Sequence, residues 1–213
     1  LTDVTGVQTC ALPIYMIIVA TATPDHLGFP STACILQDRL GAERAAAMDI
    51  SAACTGFIYG LDTARAFIEA GIHKNILVAG TEVLSKITNW KDRNTCVLFG
   101  DGAGAALVTA AEKGSDRGIL ASHLAADGSG AGVLSRPAGG TRTPFVEGTT
   151  PPESTLLYMD GRKVYYFAVG VLGKTIEILL EKAGMSLDDI DFIVPHQANV
   201  RIIDACAKRL SIP

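Results

Sequence analysis

Short apolar runs alternate with stretches of helical spacing along most of the chain. Ile17, Ile18, Val19 and Ala20 predict a buried strand over 17–20, and 46–50, 75–79, 95–99 and 105–110 read as further strands. Residues 30–40 open on Pro30, Ser31 and Thr32, continue with helical spacing and stop at Gly41. From 55 to 70 the residues Phe57, Leu61, Ala64 and Ile68 fall at i, i+4, i+7 and i+11, one apolar face, with Gly71 placed to end the helix. The polar stretch 112–117 reads as a boundary, followed by a strand over 118–124. Residues 127–153 are rich in Gly, Pro, Ser and Thr, which predicts a long surface excursion. A long helix over 160–183 ends at Gly184, a strand covers 192–194, and Asn199 is a suitable cap for a helix over 200–210. Strand and helix alternation of this kind predicts an α/β layered fold with mostly buried strands.

Composition sharpens that picture. In 213 residues, 48% are hydrophobic and only 19% charged, below the roughly 25% of an average soluble domain, so sheets covered on both faces or a large subunit interface are expected. The same balance excludes disorder as the main state. A net charge of −4 argues against nucleic-acid binding, which needs a basic footprint. The longest apolar run, 11–22, is too short for a bilayer and contains Pro13, so no membrane association is expected. Five cysteines without a C-x-x-C pair disfavour both a disulfide scaffold and a metal site, and fit a reducing, cytoplasmic setting. One weak internal symmetry is visible. Strand, tight turn and helix occur at 48–57 and again at 192–203, with Cys54 at one turn and His196 at the other.

Four motifs carry candidate chemistry. In Asp49-Ile50-Ser51-Ala52-Ala53-Cys54-Thr55-Gly56, a strand feeds small residues into a helix start with Cys54 at the junction. A helix N-terminus lowers a cysteine pKa from about 8.5 toward roughly 3.5–7.5 and favours the thiolate. The pattern equally suits a cysteine buried in a core turn. In Val194-Pro195-His196-Gln197-Ala198-Asn199, a rigid Pro presents His196 between strand and helix, where it could serve as acid, base or hydrogen-bond donor. A nucleophile and an imidazole on matching turns fit nucleophilic catalysis. The third motif, Gly100-Asp101-Gly102-Ala103-Gly104, has the wrong spacing for a dinucleotide loop and precedes a strand, so a tight turn is expected. The fourth is a basic face of the last helix, Arg201, Lys208 and Arg209 at i, i+7 and i+8, beside His196. Lys208 and Arg209 also simply complement the helix dipole, which Arg201 in the first turn does not.

With these residues in hand, the chain resembles the β-ketoacyl-acyl-carrier-protein synthase III family, the initiating condensing enzymes of bacterial fatty-acid synthesis, in the thiolase superfamily. The motifs are I-I-V-A-T-A-T-P-D-H, F-P-S-T-A-C, D-I-S-A-A-C-T-G-F, F-G-D-G-A-G-A, H-L-A-A-D-G and V-P-H-Q-A-N-V-R-I, covering residues 16–213. The resemblance implies a thiolase-like αβαβα layered fold of two related halves, incomplete at both ends. Residues 16–112 would belong to the first half and 113–213 to the second. Residues 1–15 match nothing in the family and are expected to be a foreign leader. A homodimer is implied as well.

The resemblance further implies an acyltransferase that condenses an acyl-CoA, most simply acetyl-CoA, with malonyl-acyl-carrier protein, with release of CO₂. Cys54 would carry the acyl group and His196 would donate to the malonyl thioester carbonyl. Gln197, Ala198, Asn199, Val200 and Arg201 would dock the acyl-carrier protein, Arg201 foremost. Arg93 would contact the coenzyme A nucleotide, and Phe29 would line the acyl pocket across the dimer. No covalently bound cofactor is implied, coenzyme A thioester being a substrate. The family's catalytic Asn, in a later G-N-T/S loop, has no counterpart before Pro213, and Asn199 belongs to a different motif. That departure keeps open a catalytically inactive piece that only folds or dimerises. A related polyketide-type starter synthase shares Cys54 and His196. A cysteine peptidase is the remaining alternative, since 196 − 54 = 142 residues suits papain-like spacing, although C-G-[SA]-C-[WY] is absent.

Overall fold

A computed structural model describes residues 13–115 and 117–212. The first twelve residues of the expected leader, and Cys10 with them, lie outside the described residues. The chain divides into two compact units. One runs to Val83 and resumes over Asp101–Ile119, and the other comprises Leu84–Gly100 and the residues from Leu120 onward.

The first unit is built on a four-stranded sheet ordered β2-β1-β3-β4, from β1 (Met16–Ala20), β2 (Ala46–Ile50), β3 (Asn75–Val83) and β4 (Asp101–Thr109). β1 runs parallel to both β2 and β3, and β4 closes the edge antiparallel to β3. The run Met16-Ile17-Ile18-Val19-Ala20 is buried on both faces. Because side chains alternate along a strand, it serves two cores. Met16 and Ile18 join Ile76, Val78 and Ala64 of helix α2 (Gly56–Glu69). Ile17 and Val19 join Leu77 and Ala33 of helix α1 (Thr32–Arg39). The central strand β1 is thus covered on both faces, as the hydrophobic composition predicts, while the first half of β4 is exposed. Tyr15 extends the β1 ladder on both sides, donating to Asn75 O at 3.0 Å and accepting from Ala46 N at 3.0 Å.

Two sequence expectations in this region change. β3 continues four residues past Ala79, and the Gly100–Gly104 segment is not a tight turn. Its residues from Asp101 form the start of β4, with Gly104 opposite Gly80 and Gly102 opposite Glu82. The long antiparallel ladder outweighs the turn preference of the glycines.

In the second unit, α3 (Gly161–Ala183) carries its cap on Asp160, which accepts from Lys163 N at 3.2 Å, and ends at Gly184 with φ 65°. Against it packs α4 (Val200–Leu210). A short hairpin pairs β5 (Leu134–Ser135) with β6 (Tyr158–Met159). The excursion over 127–153 is largely irregular, as expected.

Strands expected at 95–99, 118–124 and 192–194 do not form. The first is pre-empted by local turns. Asn89 and Asp92 side chains accept from the amides of Lys91 and Asn94, and Asp92 O accepts from Thr95 N and Cys96 N. Residues 192–194 pair with no strand among the described residues, and Phe192 and Val194 are 87% and 86% exposed. The strand half of the 192–203 symmetry is therefore missing, while its helix half stands. No helix among the described residues is long and apolar enough to cross a membrane.

Candidate functional site

β1 and β2 end together beside the turn that carries Cys54. The C-terminal ends of parallel strands are where open α/β sheets place their ligands. After Ile50 the chain turns sharply. Ala53 takes φ 43°, in the left-handed region, and opens a 3₁₀ turn over Ala53–Thr55. Thr55 locks that turn, its N–H and hydroxyl both donating to Ala52 O, at 3.1 and 2.9 Å. A left-handed alanine costs on the order of 1–3 kcal/mol, so the surroundings must hold it.

They do so through close packing at the start of α2. A Cβ added at Gly56 would lie 3.0 Å from the Ala20 Cβ, and one at Gly60 would lie 2.7 Å from Val78 Cγ1. Phe57 in turn rests on Gly80, where an added Cβ would meet its ring at 3.4 Å. The missing side chain at Gly60, and to a lesser degree at Gly56, lets the helix sit this low on the sheet. The result is that Cys54 stands exposed at the lip of the strand ends.

The charge state of that sulfur departs from the expectation. Partial burial pushes the Cys54 thiol above the usual cysteine range, its own backbone N–H pulls it back, and the Glu82 carboxylate pushes it up again. The net direction is upward. Cys54 lies inside the 3₁₀ turn, two residues before α2 begins, and among the described residues the backbone N–H acting on it is its own. The upward direction is the reverse of the lowering that its position at a helix start suggests, with burial the larger effect. That shift favours the thiol form.

Asp49 and Glu82 are two residues of this region to which sequence reasoning assigned no role. The Asp49 carboxylate accepts from Thr32 N and Ala33 N, both at 2.8 Å, and caps α1 from across the sheet. Glu82 accepts from Ala22 N at 2.8 Å and from the Thr23 hydroxyl at 2.6 Å. Both interactions span many residues and leave no local pattern in the chain.

Phe29 also belongs to this unit and stands 88% exposed ahead of α1. The remaining candidates lie in the second unit. His196, Gln197 and Ala198 are exposed in an irregular segment that leads to α4. Asn199 caps that helix as expected, accepting from Arg201 N at 2.9 Å. Arg201 and Val200 are exposed in its first turn. Arg209 lies over α3, where a Cβ added at Gly173 would meet its Cδ and Nε at 3.6 Å, so this member of the basic face also serves helix packing. Arg93 is exposed in the turn-rich stretch stabilised by Asp92. Open clefts of about 490 and 520 Å³, one in each unit, are not lined by Cys54 or His196. Among the described residues no three His, Cys, Asp or Glu side chains gather as a metal site.

Comparison with known proteins supplies the context for this geometry. Residues 48–141 match the family model of 3-oxoacyl-[acyl-carrier-protein] synthase III, and 180–213 match the model of its C-terminal part. The chain is 55% identical over 197 residues to the β-ketoacyl-[acyl-carrier-protein] synthase III of Caldanaerobacter subterraneus subsp. tengcongensis, covering 92% of this chain and 59% of that protein. It is 53% identical to the protein of the same name from Natranaerobius thermophilus, over 92% of this chain and 60% of the relative. Among solved structures, the synthase III of Thermus thermophilus superposes with a TM-score of 0.84 at 46% identity, covering 94% of this chain and 60% of that one. The enzyme of Aquifex aeolicus does so with a TM-score of 0.81 at 45% identity, covering 94% and 59%. The chain thus spans about 59% of the length of the curated relatives it matches. Its α/β fold is the thiolase-like fold of these neighbours. The matched family models, the relatives and the superposed structures agree, and the chain belongs to the β-ketoacyl-acyl-carrier-protein synthase III family.

Proposed function

We propose that this chain carries the acyl-accepting chemistry of a decarboxylating condensation that starts fatty-acid synthesis. The observation that carries the reading is the Cys54 turn, a strained and exposed elbow at the ends of parallel strands. It is supported by relatives at 53–55% identity that are named as synthase III enzymes.

In the first half-reaction the Cys54 sulfur attacks the thioester carbonyl of an acyl-CoA, most simply acetyl-CoA. The bond from carbonyl carbon to the coenzyme sulfur breaks, and the proton leaving Cys54 ends on the coenzyme A thiol. In the second half-reaction, malonyl on the carrier protein loses CO₂. The resulting enolate attacks the acyl-Cys54 carbonyl, and the sulfur leaves to regain a proton. His196 donates to the malonyl thioester oxygen while negative charge builds there. Loss of such a donor typically costs about 10²–10³ in rate.

The finer assignments belong to the same proposal. Gln197, Ala198, Asn199, Val200 and Arg201 dock the acyl-carrier protein, with Arg201 exposed in the first turn of α4 as the main contact. Arg93 meets the coenzyme A nucleotide. Phe29, whose ring is free in a single copy, lines the acyl pocket of a second copy in a cytoplasmic homodimer. Residues 16–112 and 113–213 correspond to the two related halves.

The test separates the two half-reactions. Cys54→Ala abolishes acyl transfer from acetyl-CoA. His196→Ala spares acylation and depresses release of CO₂ from malonyl-carrier protein. Equal loss of both half-reactions in His196→Ala contradicts the role given to that residue.

A further inference from the structure

Glu82 sits at the end of β3, where the chain has no local need of a carboxylate. Its two oxygens are committed to the segment that follows β1. One accepts from Ala22 N at 2.8 Å and the other from the Thr23 hydroxyl at 2.6 Å. The Thr23 oxygen also accepts from Val83 N at 2.8 Å, and Thr23 N donates to the Thr21 hydroxyl at 3.0 Å. Thr21 N in turn donates to Ile50 O at 3.1 Å, continuing the β1–β2 ladder to the residue from which the Cys54 turn departs. The strand ends joined in this way are the seats of the first turn of α2. Gly56 rests on Ala20, the residue before Thr21, and Phe57 rests on Gly80, two residues before Glu82.

We propose that Glu82 is a positioning residue for Cys54, tying the ends of β1 and β3 together beneath the first turn of α2. This rests on the reading of Cys54 as the acyl-accepting nucleophile. The charge acts as well as the tie, because the Glu82 carboxylate opposes ionisation of Cys54. Asp101, which opens β4 as the register partner of Val83, stands one position from Glu82 across the β3–β4 ladder. Asp49 of β2 is taken up by the α1 amides. β1 and residues 56–61 of α2 carry no charged residue, and the segment after β1 has none before Asp25 and His26.

The experiment measures the rate of iodoacetamide alkylation of Cys54 against pH, with the modified peptide identified by mass spectrometry so that the other cysteines do not contribute. Acetyl transfer from acetyl-CoA is followed in parallel. Glu82→Gln removes the charge and keeps an acceptor for Ala22 N, so the alkylation midpoint falls. Thr23→Val keeps the charge and breaks the tie, so the midpoint does not fall while the rate of modification at a fixed thiolate fraction changes severalfold. Circular dichroism confirms that both variants fold. An unchanged midpoint in Glu82→Gln overturns the proposal, and so does Thr23→Val behaviour indistinguishable from the parent. If the midpoint moves as stated but the parent chain transfers no acetyl group, the proposed function fails while the placement of Glu82 stands.

Discussion

Replacing Gly60 with alanine tests how α2 is seated and, with it, how Cys54 is presented. A Cβ there would lie 2.7 Å from Val78 Cγ1, 3.6 Å from Ile50 Cδ1 and 3.7 Å from Ile18 Cγ2. Carbon contacts are most favourable at about 3.5–4.0 Å, so the nearest one is roughly 1 Å too short. Val78 cannot turn away, because it is β-branched and fully buried in the middle of the sheet. Overpacking of this kind costs about 1–3 kcal/mol. The intrinsic helix gain of alanine over glycine offsets about 1 kcal/mol of it. The expected net loss for Gly60→Ala is thus about 1 kcal/mol, rising toward 2 if α2 does not shift. Gly170 of α3 supplies the control, since a Cβ there meets nothing within 4 Å, and Gly170→Ala should stabilise by up to about 1 kcal/mol. The assay is native-state hydrogen exchange, read at the β1 and β3 amides for Gly60→Ala and at the α3 amides for Gly170→Ala. In a double-mutant cycle, Val78→Ala together with Gly60→Ala should cost less than the two single changes added. A Gly60→Ala chain as much stabilised as Gly170→Ala would refute the argument.

Other predictions follow from the same region. Asp49→Ala strips the acceptor from Thr32 N and Ala33 N and should cost about 2 kcal/mol, with faster exchange at those two amides; unchanged exchange in α1 would show that the cap is idle. Ala53→Gly removes the left-handed penalty and should leave stability equal or higher, whereas Ala53→Val should lower it by about 1–2 kcal/mol; a loss in the glycine variant contradicts the strained turn. The raised Cys54 pKa sets a pH dependence with a definite sign. The unfolded chain ionises its cysteines first, near pH ~8.5. The stabilising contribution of the thiol is therefore complete below that pH and declines as pH rises through the folded-state value. Cys206, which burial also shifts upward, adds to the same trend. Denaturant midpoints measured across this range should fall toward alkaline pH in the parent, and fall less in Cys54→Ala.

Several features were legible in the chain because they are local. The caps at Asn199 and Gly184, the apolar face of α2 and the buried run 16–20 each depend on residues a few positions apart. Lost strands at 95–99 and 192–194 show the limit. An apolar run supplies propensity, but a strand needs a partner ladder, and side-chain acceptors such as Asp92 can claim the backbone first. The β4 segment failed in the opposite sense, since Gly102 and Gly104 read as a turn until the nine-residue pairing with β3 is seen. At the site, the placement of Cys54 at a strand-to-helix junction was readable, yet the direction of its pKa was not. That direction is set first by burial in the fold, with a smaller push from Glu82, 28 positions later in the chain (82 − 54). Asp49 and the left-handed Ala53 were likewise invisible, because each is defined by a contact or an angle rather than by a residue pattern.

The central claim is that Cys54 accepts an acyl group. It is tested most directly by incubating the chain with acetyl-CoA and locating the adduct by peptide mass spectrometry. Acetylation of the peptide containing Cys54, lost in Cys54→Ala and absent from the peptide containing Cys34, which is also exposed, is the predicted result. An adduct distributed over both peptides, or none on Cys54 in a chain shown to be folded, would contradict the account.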